Sequence, residues 1–392
     1  MVTGPTDPTD PNDPAEPTDS TNSSSATPTA FEFLKALLPG CPPELVPLFV
    51  LAYDIDAFEA DAANFAKQTG IPERELLAIA AEARKGSDPM ADKRPGQHVV
   101  SRSVLVAWCT GANRQNQLIW PYSLHAGRES PTNPSDVGKV YDFVKVDSKR
   151  TEQEWEPVEN KLRQAVADIE NGTGFADPAC VQTIKEVIAL HYARSIETLG
   201  TVEKLFDTTI ENKKAAMLRQ PEDLDRLYEA KTGDATGLKD DDAREAFVDA
   251  FHGRLRWIFN SGTYFRFRVV YLFHAALDLI APMKVQVLRA PTGSEFLISD
   301  APVITADASS NRRGVRDNIA IGNADSVLMP LSPHVTVALD NLAGDFPVDA
   351  AYVRKLNTWQ LEAAKHHVFL HPSSSLMSWV EVMRPATPPT TV

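Results

Sequence analysis

The chain has 392 residues, of which 43% are hydrophobic, and a formal net charge of −14 at pH 7. The apolar fraction is enough for a sizeable core, and the acidic balance disfavours non-specific nucleic-acid binding, which depends on excess Lys and Arg. The three cysteines form no CxxC pair, which disfavours a disulfide framework or a thiolate zinc site and fits a reducing cytoplasm. The apolar runs are shorter than the roughly 20 residues of a membrane span, and no signal-peptide pattern opens the chain. We therefore expect a soluble cytoplasmic protein that does not engage membranes.

The two ends of the chain differ in composition from the rest. Residues 1–28 form a Thr/Asp/Pro/Ser tract, and residues 385–392 form a similar, shorter one. Such segments bury too little apolar surface to offset the entropy lost on ordering. Both are therefore predicted to be disordered.

A helical module is predicted over residues 29–88. Its clearest signal is Ile71–Leu77, where Pro72 stands at a helix start and acidic residues occupy the first turn. The polar run Gly86–Gly96 marks its boundary. This module, together with the acidic tail, is a candidate contact for a protein partner, whose identity is unknown.

The main domain is predicted over residues 94–384, with an α+β fold. Val99–Cys109 and Gln117–Ser123 favour strand structure, and a second short strand at Val140–Val144 would complete a hairpin. Glu152–Ala281 carries apolar residues at helical spacing, which predicts a helical middle region.

The last part of this domain turns to β structure. Lys284–Leu288 and Glu295–Ser299 flank the turn-forming sequence Ala-Pro-Thr-Gly-Ser and predict a hairpin. The remaining predicted elements are two strands, a helix and a final strand, at Val327–Pro330, Thr336–Leu339, Tyr352–Lys365 and His367–Leu370. The helical middle is thus flanked by small sheet segments, expected to be antiparallel.

Short motifs recur in a specific order along the main domain. They are Gln97-His98, Leu190-His191-Tyr192-Ala193-Arg194, Phe296-Leu297-Ile298-Ser299-Asp300-Ala301-Pro302, Met329-Pro330-Leu331-Ser332-Pro333, and Asn357 before Val368-Phe369. In this order and spacing the chain resembles the domain of unknown function 4238 family, over about residues 94–371. The resemblance implies a fold and a candidate site but no established activity. The chain departs from the family pattern after the histidine, where Val100 and Ser101 replace proline and aromatic residues.

The candidate catalytic residues are His98, Glu159 and Asp300. His98 is either an acid or base of near-neutral pKa or a structural histidine bonded to a backbone carbonyl. Asp300 follows a predicted strand, where it either orients a histidine, binds a metal or accepts a proton, or caps the Pro-containing turn. Glu159 and Arg194 lie on separate predicted helices and suit a buried ion pair, which either fixes helix register or lines a site.

Gln97, His191, Arg194, Ser299 and Asn357 are candidates for substrate binding. Arg194 follows His191 by three residues, so both lie on one helical face, a pattern compatible with phosphate binding and equally with a helix edge. No Walker A or GxGxxG sequence is present, so NTP and dinucleotide binding have no support in the sequence, and the cofactor is unknown. The sequence around the C-terminal histidines lacks a metal-binding pattern such as HExxH, so no metal site is predicted.

Two functions of different class remain open. In the first, the candidate residues converge in a cleft between the helical middle and the C-terminal sheet, and the chain hydrolyses a phosphodiester or nucleic-acid substrate. His98 would be the acid or base and Arg194 the anion-binding group. In the second, the same residues are structural, and the chain is a non-catalytic binding or scaffolding protein.

Overall fold

Helices fill the middle of the molecule and small sheets flank them, so the predicted α+β class is confirmed. This computed structural model describes residues 46–85, 97–111, 115–140, 148–260, 263–307, 313–314, 317 and 319–384. The predicted tails at 1–28 and 385–392 lie outside the described residues. The boundaries drawn at 29–88 and 94–384 stay predictions.

The α-helices of the described residues are α1 (Val46–Tyr53), α2 (Ile55–Ala60), α3 (Ala62–Thr69), α4 (Glu73–Lys85), α5 (Arg102–Leu105), α6 (Ser148–Glu170), α7 (Pro178–Ala193), α8 (Ile196–Leu218), α9 (Pro221–Thr232), α10 (Asp241–Asn260), α11 (Thr263–Ile280), α12 (Ala350–Ala363) and α13 (Met377–Met383). The strands are β1 (Gln97–His98), β2 (Trp120–Ser123), β3 (Gly127–Arg128), β4 (Lys139–Val140), β5 (Lys284–Arg289), β6 (Ile298–Ser299), β7 (Ile304–Ala306), β8 (Ser326–Ser332), β9 (Val335–Asp340), β10 (Gly344–Pro347) and β11 (His367–Leu370).

Local sequence signals explain where key helices begin. The Asp177 carboxylate accepts a hydrogen bond from the Ala179 N–H at 3.0 Å, and Pro178 opens α7. Asp349 accepts one from the Tyr352 N–H at 2.7 Å and so caps α12. An Asp in this place satisfies an N–H that the first helical turn leaves unpaired.

The N-terminal helices pack on the helical middle, with α1 against α10 and α4 against α11. The Tyr53 hydroxyl donates to the Leu227 carbonyl at 2.7 Å. The buried Arg266 guanidinium lies 3.2 Å from the Glu75 carboxylate. Because a buried charge is costly without a partner, this ion pair holds α4 on α11. A protein partner for this module stays a prediction.

The larger sheet has five strands in the order β10-β5-β9-β8-β7. Its central strands β8 and β9 are almost entirely buried and match the strands predicted there. Most pairs are antiparallel, as expected, but β10 is parallel to β5. The reason is the chain path: after β9 the chain turns back and lands beyond β5, which already lies antiparallel to β9.

The smaller sheet has four antiparallel strands in the order β3-β2-β11-β6. Strand β11 lies inside it, with Val368 opposite Tyr122 of β2 on one side and Ser299 of β6 on the other. The predicted final strand is therefore confirmed, and it joins two regions that are distant in sequence.

One predicted hairpin is wrong. The turn after β5 exists, since the Ser294 N–H donates to the Pro291 carbonyl at 2.9 Å, but β5 pairs with β9 and β10 while β6 pairs with β11. The Phe296 N–H donates to the Pro333 carbonyl at 2.7 Å, which leads the chain away from β5. The other predicted hairpin stays a prediction, because most of its second strand, Val140–Val144, lies outside the described residues, and Val140 itself pairs with Gln97 of β1. Val99–Cys109 forms α5 and a 3-10 turn instead of a strand.

Within the described ranges, no helix combines the length and the hydropathy needed to cross a lipid bilayer.

Candidate functional site

His98 lies on the short β1–β4 ribbon, directly opposite Lys139. The Val99 N–H donates to the Gly138 carbonyl at 2.8 Å, which closes the ribbon beside α5. Gly138 has φ +66°, and a Cβ there would come within 3.1 Å of Leu105 and 3.3 Å of the Val100 carbonyl. A residue with a side chain would be strained in this conformation, so the glycine allows the close approach that places His98.

The environment of His98 keeps its imidazole neutral. Burial, followed by the charges of Lys139, Arg194 and Arg102, lowers the pKa of His98 from 6.5 to about 4, opposed by a hydrogen bond to the backbone of Ser135. The Nε2 atom is buried and has no hydrogen-bond partner among the described residues. The bond to Ser135 therefore falls to Nδ1, which leaves Nε2 with an unused lone pair.

Arg194 ends α7 and is fully buried. Its Nη2 lies 2.7 Å from the Glu159 Oε1 of α6, and its guanidinium stacks over the Trp155 ring at 5.2 Å. The Nε and Nη1 atoms have no hydrogen-bond partner among the described residues, and neither has the Glu159 Oε1. Arg194 and Glu159 thus form an ion pair in which the Nη2–H does not point at the carboxylate oxygen. The Arg194 Nε and Nη1 atoms remain as two unused donors.

His191 lies one turn before Arg194 and is also fully buried. Its Nδ1 donates to the Val187 carbonyl at 2.8 Å, because a carbonyl can only accept. Its Nε2 accepts from the Ser101 N–H at 3.1 Å and lies 3.3 Å from the Arg194 Nη2. Burial, then the Arg194 charge, lowers the pKa of His191 well below 6.5, so this ring is neutral as well.

The charges around His98 and Arg194 favour the binding of an anion. Three cations, Arg102, Lys139 and Arg194, act on His98, and Glu159 is the carboxylate that faces Arg194. A guanidinium with unused donors in a partly desolvated place is a strong group for binding phosphate or carboxylate. Lys139 was missed in the sequence because its place opposite His98 depends on the β1–β4 register.

Asp300 has a different setting, at the end of β6 and almost fully buried. Its Oδ1 accepts from the Lys365 N–H at 2.8 Å, and its Oδ2 accepts from the N–H groups of His366 and His367 at 2.7 and 3.0 Å. Both carboxylate oxygens are thereby engaged by the turn that leads from α12 into β11.

Asn357 and Gln360 of α12 serve the edge of β6 in the same way. The Leu297 N–H donates to the Asn357 Oδ1 at 3.0 Å, and the Ser299 N–H donates to the Gln360 Oε1 at 3.0 Å. The Ser299 hydroxyl also donates to that oxygen, at 2.7 Å. The side-chain amides of Asn357 and Gln360 therefore take the place of a neighbouring strand. The N–H groups of Leu297 and Ser299 are two residues apart on one strand edge, and their spacing matches that of side chains at positions i and i+3 of a helix. Gln360 was missed in the sequence, although its spacing from Asn357 was a usable signal.

The predicted site residues thus fall into two groups. His98, Glu159, His191 and Arg194 lie together beside α6 and α7. The second group, Ser299, Asp300 and Asn357, lies between α12, β6 and β11. The backbone of Gln97 pairs with Val140, and its side chain lies outside the described part of the chain.

No set of three or more His, Cys, Asp or Glu side chains in the described ranges is placed to hold a metal ion. The histidines near the C-terminus have other contacts: His367 Nε2 lies 3.1 Å from Glu129 Oε1, and His371 Nδ1 lies 2.7 Å from the Ser373 hydroxyl.

A family model described as "Protein of unknown function (DUF4238)" matches residues 96–374. Neither the curated proteins nor the solved structures contain a significant match. The matched segment spans both groups of residues, from the His98 ribbon to the β6–α12–β11 contacts. Because the match covers more than half of the sequence, the chain belongs to the DUF4238 family of proteins of unknown function.

Proposed function

We propose that the chain binds a phosphate-bearing anion at Arg194 and hydrolyses a phosphodiester of the kind that links nucleotides. The observation that carries the proposal is the pair of unused, buried Arg194 donors close to a neutral histidine. Buried guanidinium donors without hydrogen-bond partners are costly, so the unused Nε and Nη1 of Arg194 are explained if a ligand accepts from them.

The ion pair with Glu159 provides the route to this guanidinium. Arg194 is fully buried, whereas the Glu159 side chain is 20% exposed. The pair therefore reaches from the interior to the surface, and a ligand anion that replaces the carboxylate meets Arg194 from that side. Lys139 and Arg102, whose charges act on His98, add to the positive potential that an incoming anion would meet.

His98 supplies the base in this proposal. With a pKa lowered to about 4 it is unprotonated near pH 7, and its unpartnered Nε2 can accept a proton from water. The bond to the Ser135 backbone fixes the ring, as a general base requires. Asp300, Ser299 and Asn357 have no step here. We propose a structural role for them, because backbone groups engage Asp300 and Asn357, and the Ser299 hydroxyl donates to the Gln360 side chain.

A binding test separates the parts of this proposal. Inorganic phosphate should raise the unfolding temperature of the wild-type chain, and Arg194→Gln should abolish the rise. Glu159→Gln should increase phosphate affinity several-fold, because it removes the carboxylate that competes for Arg194. Arg226→Gln is the matched control, since Arg226 forms an exposed ion pair within α9. Absence of phosphate binding in both the wild type and Glu159→Gln would overturn the proposal.

A turnover test then addresses catalysis, with bis(4-nitrophenyl) phosphate as the substrate. His98→Gln should lower hydrolysis by about 100-fold or more, the usual contribution of a general base. His334→Gln, at an exposed histidine, is the control and should leave hydrolysis unchanged. Equal rates for the wild type and His98→Gln would remove His98 from the mechanism.

The second candidate function is binding without catalysis. It is favoured by one observation, that Asp300 is occupied by three backbone N–H groups and so supplies no acid for the leaving group. This alternative predicts the same phosphate effects without any turnover.

A further inference from the structure

Ser101 lies between β1 and α5 and is completely buried. It occupies the N-cap position of α5, where a serine hydroxyl ordinarily accepts a hydrogen bond from the first turn. Here the side chain makes no such bond. Its Oγ lies 3.0 Å from the His191 Nε2 instead.

His191 is set to accept the proton of this hydroxyl. Its Nδ1–H donates to the Val187 carbonyl, which fixes the tautomer and aims the Nε2 lone pair at Ser101. A nucleophile and a base within hydrogen-bond reach, with a third group that orients the base, form the usual arrangement of an activated serine.

The lone pair of His191 Nε2 is contested by three donors. They are the Ser101 N–H at 3.1 Å, the Ser101 hydroxyl at 3.0 Å and the Arg194 Nη2 at 3.3 Å. One lone pair cannot satisfy all three well, so the hydroxyl is not locked in one bond. The Arg194 Nη2 and the Ser101 hydroxyl both lie close to the His191 Nε2. A phosphate held by Arg194 would therefore lie beside the serine.

From this geometry we infer that Ser101 is the nucleophile of the proposed hydrolysis and that His191 is its base. The inference rests on the proposed function and deepens it, because it assigns a covalent phosphoserine intermediate. A packing role, in which the Ser101–His191 contact only ties the β1–α5 corner to α7, is the alternative that the experiment must separate.

The two half-reactions balance. The Ser101 Oγ attacks phosphorus, its proton passes to the His191 Nε2, the new Oγ–P bond forms and the P–O bond to the first alcohol breaks. The departing alkoxide takes up the proton from His191. In the second half, water attacks phosphorus, His98 Nε2 accepts its proton, and the Oγ–P bond breaks. That proton returns to Ser101, so the net change is hydrolysis of one phosphodiester bond.

The experiment uses the full chain and bis(4-nitrophenyl) phosphate, with acid quenching and peptide mass mapping. We expect a burst of about one nitrophenolate per chain, retained in His98→Gln with little further turnover, and a 4-nitrophenyl phosphate adduct on the Ser101 peptide. Ser101→Ala should lose both burst and turnover, by about 100-fold or more. The control Ser332→Ala removes another buried serine, in β8, and should keep both.

The failure of this inference differs from the failure of the proposed function. If Ser101→Ala hydrolyses within a few-fold of the wild type while His98→Gln does not, water attacks directly, and only the Ser101 assignment is overturned. If His98→Gln carries no adduct on Ser101, the assignment is overturned without recourse to a serine variant that could misfold. If the wild type releases no nitrophenolate, both fail.

Discussion

Replacing Asp300 by Asn tests whether this residue is structural. The carboxylate accepts three backbone N–H groups at 2.7 to 3.0 Å and is almost fully buried. In the variant, the amide oxygen can keep the two bonds on the Oδ2 side, each weakened because bonds to a charged acceptor are about twice as strong as neutral ones. The amide NH₂ then faces the Lys365 N–H, which loses its acceptor at a cost of about 1–3 kcal/mol.

Together these losses amount to roughly 3 kcal/mol of unfolding free energy. Urea unfolding at pH 7, followed by circular dichroism, measures the difference. The matched control is Asp349→Asn at the exposed N-cap of α12, where Asn caps as well as Asp and less than about 0.5 kcal/mol should be lost. If Asp300→Asn is as stable as the wild type, the structural account is refuted. If it also no longer hydrolyses the phosphodiester, Asp300 belongs to the chemistry.

Further predictions concern pH, the β10 edge and the β6 edge. The folded-state pKa of His98 is lowered from 6.5 to about 4. Its neutral form therefore contributes roughly 3 kcal/mol to the unfolding free energy above pH 6.5, and this contribution is lost as the pH falls to 4. Urea unfolding of His98→Gln should lack that part of the pH dependence, and parallel profiles would contradict this account. Arg289→Ala should cost about 2 kcal/mol and speed amide exchange in β10, since Arg289 binds Asp345 and two α6 carbonyls; unaltered exchange would argue against it. Asn357→Leu leaves two backbone groups at β6 unpaired and should lower the unfolding free energy by about 2–4 kcal/mol, whereas a neutral result would mean that water replaces the amide.

Elements whose signals are local were predictable. The helices of the middle region follow from apolar residues at helical spacing, and β8, β9 and β11 follow from short apolar runs. Strand partners were not predictable in the same way. The turn at Pro291–Ser294 forms as its sequence indicates, yet it joins strands of different sheets, because the partner of β6 arrives only at residues 367–370.

In the candidate site, too, contacts with a local sequence signal were predictable and contacts that depend on the fold were not. The Glu159–Arg194 pair was predicted from two helices with complementary charges, and the structure contains it. Lys139 and Ser101 could not be assigned, because their roles depend on strand register and on which helix faces the β1–α5 corner. Asp300 carried two interpretations in the sequence, a catalytic group or a cap of its own Pro-containing turn. Its carboxylate instead caps the distant turn from α12 into β11, a contact that the local sequence does not indicate.

The position of β11 within the smaller sheet has a consequence for biosynthesis. Residues 120–123 and 298–299 have a common neighbour only when residues 367–370 have been added. During translation, the hydrogen-bonding edges of β2 and β6 that face β11 would stay unpaired until residues 367–370 have left the ribosome. Exposed strand edges of this kind are open to mispairing. We therefore expect that chains truncated before His367 are held by chaperones or degraded, even though the helical middle is already complete.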